Sequence, residues 1–201
     1  AEPTDAPVTE QFFVTIYFWL ILLLSTPVMT MRSFALEKFS GTYETLMTAP
    51  VKDVQIVAAK FTGALLFFLV TWVPLPSYLL IVRRYANDPS ALDARTLLST
   101  LLGMLLVGSL YVALGCFASS LTRSQVVAAM LSYALGLGLF LLSLRALVAG
   151  SLTGWAAKVF DYISMTEHME DFARGVVDTR CLVFYGSLTA FFLFLTLKAV
   201  E

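Results

Sequence analysis

Charge is what this chain has least of. Of its 201 residues, 13% are charged and 59% are hydrophobic, where soluble proteins average about 25% charged. That balance rules out a soluble core as the organising frame. Strict apolar–polar alternation is missing too, which excludes a membrane β-barrel. Histidine occurs once, at His168, and cysteine twice, at Cys116 and Cys181. The two cysteines are expected near opposite membrane faces, so no disulfide is expected and no redox compartment can be read. A Gly-rich loop followed by Lys-Ser/Thr is absent, so the chain has no P-loop for nucleotide. The net charge of −1 offers no basic footprint for nucleic acid.

What the chain has instead is several uncharged apolar runs of about 20 residues, the length a helix needs to cross a bilayer. With no water to satisfy the backbone there, continuous apolar runs must be helices. The expected fold is an all-α polytopic membrane protein, one transmembrane domain over residues 1–201 with five spans. These are placed at about 12–31, 61–82, 96–119, 125–147 and 181–199. The spans contain neither Asp nor His. Intramembrane catalysis needs paired acid–base or nucleophilic groups, so an enzyme is disfavoured. A proton-coupled pump or an ion channel with a charged filter is disfavoured for the same lack of mid-membrane ionisable groups.

Residues 1–11 read as an acidic lead-in with Glu2, Asp5 and Glu10 and no Lys or Arg, unlike a signal peptide. Pro27 should kink the first span, with the hydroxyls of Ser25 and Thr26 re-satisfying the freed carbonyl. The long polar interval at residues 31–53 is the most structured of the connections. Arg32 closes the span, and Glu37 and Lys38 end a helical extension of it. Ser40 or Thr42 then caps a short helix over 41–48, with Gly41 permitting the change of direction. Glu44 sits in its first turn, where the helix dipole favours a carboxylate. Tyr43, Leu46 and Met47 give it one apolar side. Pro50 stops it, and Asp53 caps the next helix. A capped helix between two long spans describes a lever better than a tether.

Lys60 suggests that the start of the second span is interfacial, and Pro74 and Pro76 should loosen its far half. Gly108 and Gly115 share a face of the third span. Ala128, Ser132 and Gly136 form a small-residue seam on the fourth, and Gly186 and Ala190 a second pair on the fifth. These seams read as helix packing. Residues 158–175 carry Met165, Met169 and Phe172 on one stripe, an amphipathic helix for the interface plane. Arg174 and Gly175 follow, Gly175 ending the helix. His168 beside Glu167, Glu170 and Asp171 could suggest a metal, but a solvated polar face is the plainer reading. Positive charges divide six against seven across the two sides, so the positive-inside rule does not orient the chain.

Arg32-Ser33, Glu37-Lys38, Gly41-Thr42-x-Glu44-x-Leu46 and Thr48-x-Pro50 closely resemble the signature of ABC type-2 exporter permeases. Lys60-Phe61-x-Gly63 also matches, as does the run from Phe172 to Arg180. The likeness is greatest to the group that includes gliding-motility and copper-enzyme-maturation permeases, and it covers essentially the whole chain. The resemblance implies a six-helix subunit that pairs with a second permease, homo- or heterodimeric, in the bacterial cytoplasmic (inner) membrane. It implies two cytoplasmic ABC ATPase partners that hold the ATP and Mg, with no cofactor in this chain. Gly41, Thr42, Tyr43, Glu44, Leu46 and Met47 would be the coupling helix that contacts the ATPase. Arg32, Glu37 and Lys38 would lie on a connecting arm. Met165, Met169, Phe172, Arg174 and Gly175 would lie on external gate helices. The family's first helix has no counterpart, since residues 1–11 match the loop after it, so that helix is expected to be missing, cleaved or supplied separately. The implied activity is ATP-driven export. The alternative is a non-transporting membrane anchor in an ATPase-driven cell-envelope machine.

Overall fold

The computed structural model of the chain describes residues 15–48, 50–75, 77–78, 81, 94–148 and 162–201. All regular structure among them is helical. The helices are α1 (Ile16–Thr30), α2 (Ala35–Ser40), α3 (Thr42–Met47), α4 (Asp53–Trp72), α5 (Ala94–Ser120), α6 (Gln125–Val148), α7 (Met165–Ala173) and α8 (Thr179–Val200). Among the described residues, five stretches are long and apolar enough to cross a membrane: Ile16–Ser40, Asp53–Trp72, Arg95–Ser120, Gln125–Leu144 and Thr179–Val200. The expected lead-in, Pro76 and the start of the 158–175 segment lie outside the described residues.

Helix α5 is the central post. Val107, Leu110, Val112, Ala113 and Cys116 are wholly buried along it, and α1, α4, α6, α7 and α8 all pack on it. Its glycines explain how. A Cβ at Gly103 would stand 2.8 Å from the Phe172 ring, one at Gly108 2.1 Å from the Phe68 ring, and one at Gly115 2.1 Å from Thr30 Oγ1. Each missing side chain is the slot into which a neighbour inserts. Ala128, Ser132 and Gly136 face inward on α6, with Tyr111 and Leu23 nearest Gly136. Gly186 and Ala190 do not. Both are exposed, and a Cβ at Gly186 would meet nothing within 4 Å. The inward face of α8 is set by Cys181, Phe184, Tyr185 and Thr196, so the packing role expected for that pair is not filled inside the chain.

Several local expectations are corrected. Around Pro27 the hydroxyls of Ser25 and Thr26 both donate to the Leu22 carbonyl, at 3.3 and 2.8 Å. That is one residue before the carbonyl Pro27 cannot reach. Helix α4 begins at Asp53 with Lys52 as N-cap, because Gln55 Oε1 accepts from the Lys52 N–H at 3.2 Å. Asp53 is therefore in the first turn, where the dipole favours it, and does not cap. Regular α4 ends at Trp72 with a turn at Val73, and helical backbone resumes at Pro74, Leu75, Ser77, Tyr78 and Ile81. The Lys60 ammonium near its start is held by the arm.

Candidate functional site: a lever at one end of the bundle

The polar interval folds as two short helices meeting at a left-handed corner. Gly41 has φ of +78°, a conformation that any Cβ would strain. It serves as C-cap of α2 and N-cap of α3. Neither Ser40 nor Thr42 caps the helix by its side chain. Their hydroxyls lie 2.9 Å from each other, so the turn rests on glycine and not on a hydroxyl cap. Thr42 and Glu44 are exposed, while Tyr43 and Leu46 are half-buried against the core. Only the backbone of Met47 is described.

The arm is fastened to three long helices. Ser119 Oγ, buried on α5, accepts from the Phe34 and Ala35 N–H groups at 3.0 and 3.1 Å and donates to the Met31 carbonyl at 3.1 Å. It thus caps α2 from another helix, satisfying donors that a helix start leaves open. Lys60 on α4 donates to the Ser33 carbonyl at 2.6 Å and pairs with Glu37 at 2.5 Å. Its ammonium also lies 5.0 Å from the Phe34 ring centre. Lys38 donates to the Ser120 carbonyl and stands 4.9 Å over the Tyr43 ring. The Tyr43 hydroxyl in turn donates to the Val200 carbonyl of α8 at 3.0 Å. Burial, and then the carboxylates of Asp53 and Glu37, raise the Tyr43 pKa, which keeps the phenol a donor at neutral pH. Arg32 points outward, exposed.

Residues not singled out by sequence complete this end. A recess of about 430 Å³ lies between the corner and the α5–α6 turn, lined by Lys38, Phe39, Gly41, Tyr43, Glu44, Leu121, Thr122 and Arg123. Phe39 is 76% exposed. An exposed aromatic next to a charged pair was the available signal for it. Ser119, in contrast, reads as one more small residue in an apolar run.

At the opposite end, α7 packs Met165, Met169 and Phe172 inward, and Gly175, at φ +83°, ends it. Arg174 is exposed and 3.9 Å from Glu170. The helix is pinned at both ends: the Met165 N–H donates to Ser143 Oγ at 2.7 Å, and the Phe172 carbonyl accepts from Ser99 Oγ at 2.6 Å. His168 is not on a solvated face. It is 7% exposed, edge-on to Phe184 and Tyr185 at 5.6 and 5.8 Å. It falls three residues after Met165 and four before Phe172, so it belongs to their stripe. No cluster of three metal-ligating groups occurs among the described residues.

Burial lowers the His168 pKa, partly opposed by Asp171 and Asp178; Glu167 and Arg180 line the same recess. A folded pKa below the ordinary value of about 6.5 means that the loosened state binds the proton more readily. The His168 contribution is therefore intact above about pH 6.5 and lost as pH falls through the window below it. Amide exchange in α7, corrected for intrinsic rates, is expected to quicken from pH 7.5 to 5.5 by several fold. In His168→Phe that dependence should vanish; if it persists, another group is titrating.

A family profile described as ABC-2 family transporter protein matches residues 3–197. No curated protein and no solved structure matches the chain.

Proposed function

The chain belongs to the ABC-2 family of transporter proteins, and from that membership we propose that it is the permease of an exporter whose motor is a separate ATPase. Membership makes it a membrane permease component of an ABC system, a family that works with an ABC ATPase. The further reading is that α3 is the coupling helix, that its end of the bundle is cytoplasmic and that α7 lies on the external side. The observation that carries it is the construction of the corner. A short helix with exposed Thr42 and Glu44 is turned outward at Gly41; Tyr43 ties it to α8, and Ser119, Lys60 and Lys38 bolt the arm that carries it to α5 and α4. A force applied there reaches the membrane part without being absorbed by a slack loop.

In this reading Phe39, Glu44 and Arg123 face the ATPase, and two permeases pair around the exported molecule. In the same reading the subunit resides in a bacterial cytoplasmic membrane and resembles in motif the gliding-motility and copper-enzyme-maturation group. The coupling-helix contact is tested by Glu44→Lys. Glu44 is exposed, so the reversal should leave the membrane part folded and monodisperse. It should lower the affinity for the co-expressed ATPase by about tenfold or more, near 1.4 kcal/mol or above. Unchanged co-purification of the ATPase would remove Glu44 from the contact.

A further inference from the structure

Helix α8 is gripped at its two ends by two different small helices. At its C-terminal end the Tyr43 hydroxyl of α3 bonds the Val200 carbonyl at 3.0 Å, and the Lys38 ammonium over the ring orients the phenol. At its N-terminal end Phe184 and Tyr185 meet the His168 ring of α7 edge-on, and Phe184 also meets Tyr162 at 5.8 Å. Tyr185 is fully buried. Between Tyr185 and Val200 the helix runs 15 residues, about 23 Å, without a proline to bend it.

The flank of α8 against α5 is of another character. It is mostly apolar, and its Phe117–Phe192 contact is tilted at 43° and not edge-on, with ring centres 6.0 Å apart. A long hydroxyl pair, Ser109 with Thr189 at 3.4 Å, lies midway. Apolar contacts have no preferred direction and let packed helices slide by small amounts; hydrogen bonds and ring-edge contacts resist it. Helix α7, pinned to α6 and α5 at its ends, presents His168 near its middle to α8. A displacement of α8 along its axis therefore bears on the centre of a helix held at both ends.

We infer that α8 is a push rod that carries displacement of α3 to α7, with Tyr43–Val200 as its input and His168–Phe184/Tyr185 as its output. The inference rests on α3 being the element the ATPase moves, but the rod itself is a property of this chain. Coupling between sites is reciprocal, so a change at either end must be felt at the other with no ATPase present.

Cys181, buried one turn before Tyr185 and beside His168, reports on the output end. In a Cys116→Ala background it is the single thiol, since the chain has two cysteines. The full chain in lipid nanodiscs is treated with a water-soluble maleimide. Tyr43→Phe, which keeps the ring and deletes the donor, is expected to raise the Cys181 alkylation rate threefold or more. Lys60→Met, which releases α4 from the arm and leaves α8 untouched, is expected to change it by less than about 1.5-fold. Conversely, His168→Ala should speed exchange of the Thr48 amide, which bonds the Glu44 carbonyl at the end of α3, by threefold or more. An unchanged Cys181 rate in Tyr43→Phe overturns the rod. So does an equal rise in Lys60→Met, which would mean general loosening. Because no ATPase is in the sample, either result leaves the Glu44 contact to its own test.

Discussion

Gly115→Ala is expected to be among the most destabilising substitutions of a single methyl group in this chain. The new Cβ would stand 2.1 Å from Thr30 Oγ1, 2.7 Å from Thr30 Cβ and 3.0 Å from Thr30 Cγ2. Thr30 is fully buried and its hydroxyl is committed to the Thr26 carbonyl at 2.8 Å. Its Cβ is fixed to the α1 backbone, so the side chain cannot swing aside and the helices must separate. Overpacking of a tight core costs about 1–3 kcal/mol, occasionally more, and Gly115→Ala should fall at or above the top of that range. Gly108→Ala is the instructive comparison. Its obstacle is the outer edge of the Phe68 ring, which can tilt by rotation about its own side-chain bonds. Gly138→Ala, where nothing lies within 4 Å, should be neutral or slightly favourable, because Ala is the better helix former. The order Gly115 > Gly108 > Gly138 is checked by equilibrium unfolding in mixed micelles. A Gly115→Ala loss below about 0.5 kcal/mol would mean that α1 and α5 are not in contact there.

The same contact shows what a sequence can and cannot reveal about a membrane bundle. Uncharged runs of bilayer length are legible because the bilayer leaves the backbone one choice. The corner at Gly41 and the stop at Gly175 are legible because positive φ is nearly a glycine property. Which small residues pack inward is harder. In a membrane helix the outward face is as apolar as the inward one, so periodicity alone does not separate Gly136, where an added Cβ would meet Tyr111 at 3.1 Å, from Gly186, where it would meet nothing within 4 Å. His168 failed as a reading for a related reason. Its carboxylate neighbours suggested a wet face, whereas its place between Met165 and Phe172 on the helical repeat put it in the stripe. The ties of the arm were least legible. They join residues 23 to 157 positions apart, and serine or lysine in an apolar run does not announce its partner.

The Ser119 hydroxyl makes the sharpest of those ties, and Ser119→Ala is expected to cost about 3 kcal/mol. The joint between α1 and α2 leaves the Phe34 and Ala35 N–H groups without helical acceptors, and both residues are fully buried. Ser119 Oγ supplies the acceptor for both and passes its own proton to the Met31 carbonyl. Alanine removes the acceptor without adding bulk, and a buried donor left unpaired costs about 1–3 kcal/mol. Two such donors set the scale. The loss should be local. Exchange of the Lys38 amide, bonded to the Phe34 carbonyl at 3.0 Å, is expected to quicken by more than tenfold, while amides in the middle of α5 keep their protection. Lys60→Met offers the contrast. It leaves Glu37 without its cation; Oε2 is buried without a partner, but 31% of the side chain is exposed, so the carboxylate can turn toward that open side and water can take over part of the solvation. Ser119→Ala should therefore exceed Lys60→Met in stability lost, although it removes no charge. The reverse order would mean that the arm is held by its ion pair and that the corner can hydrate. In that case a force on α3 would be spent on the joint before it reached α5.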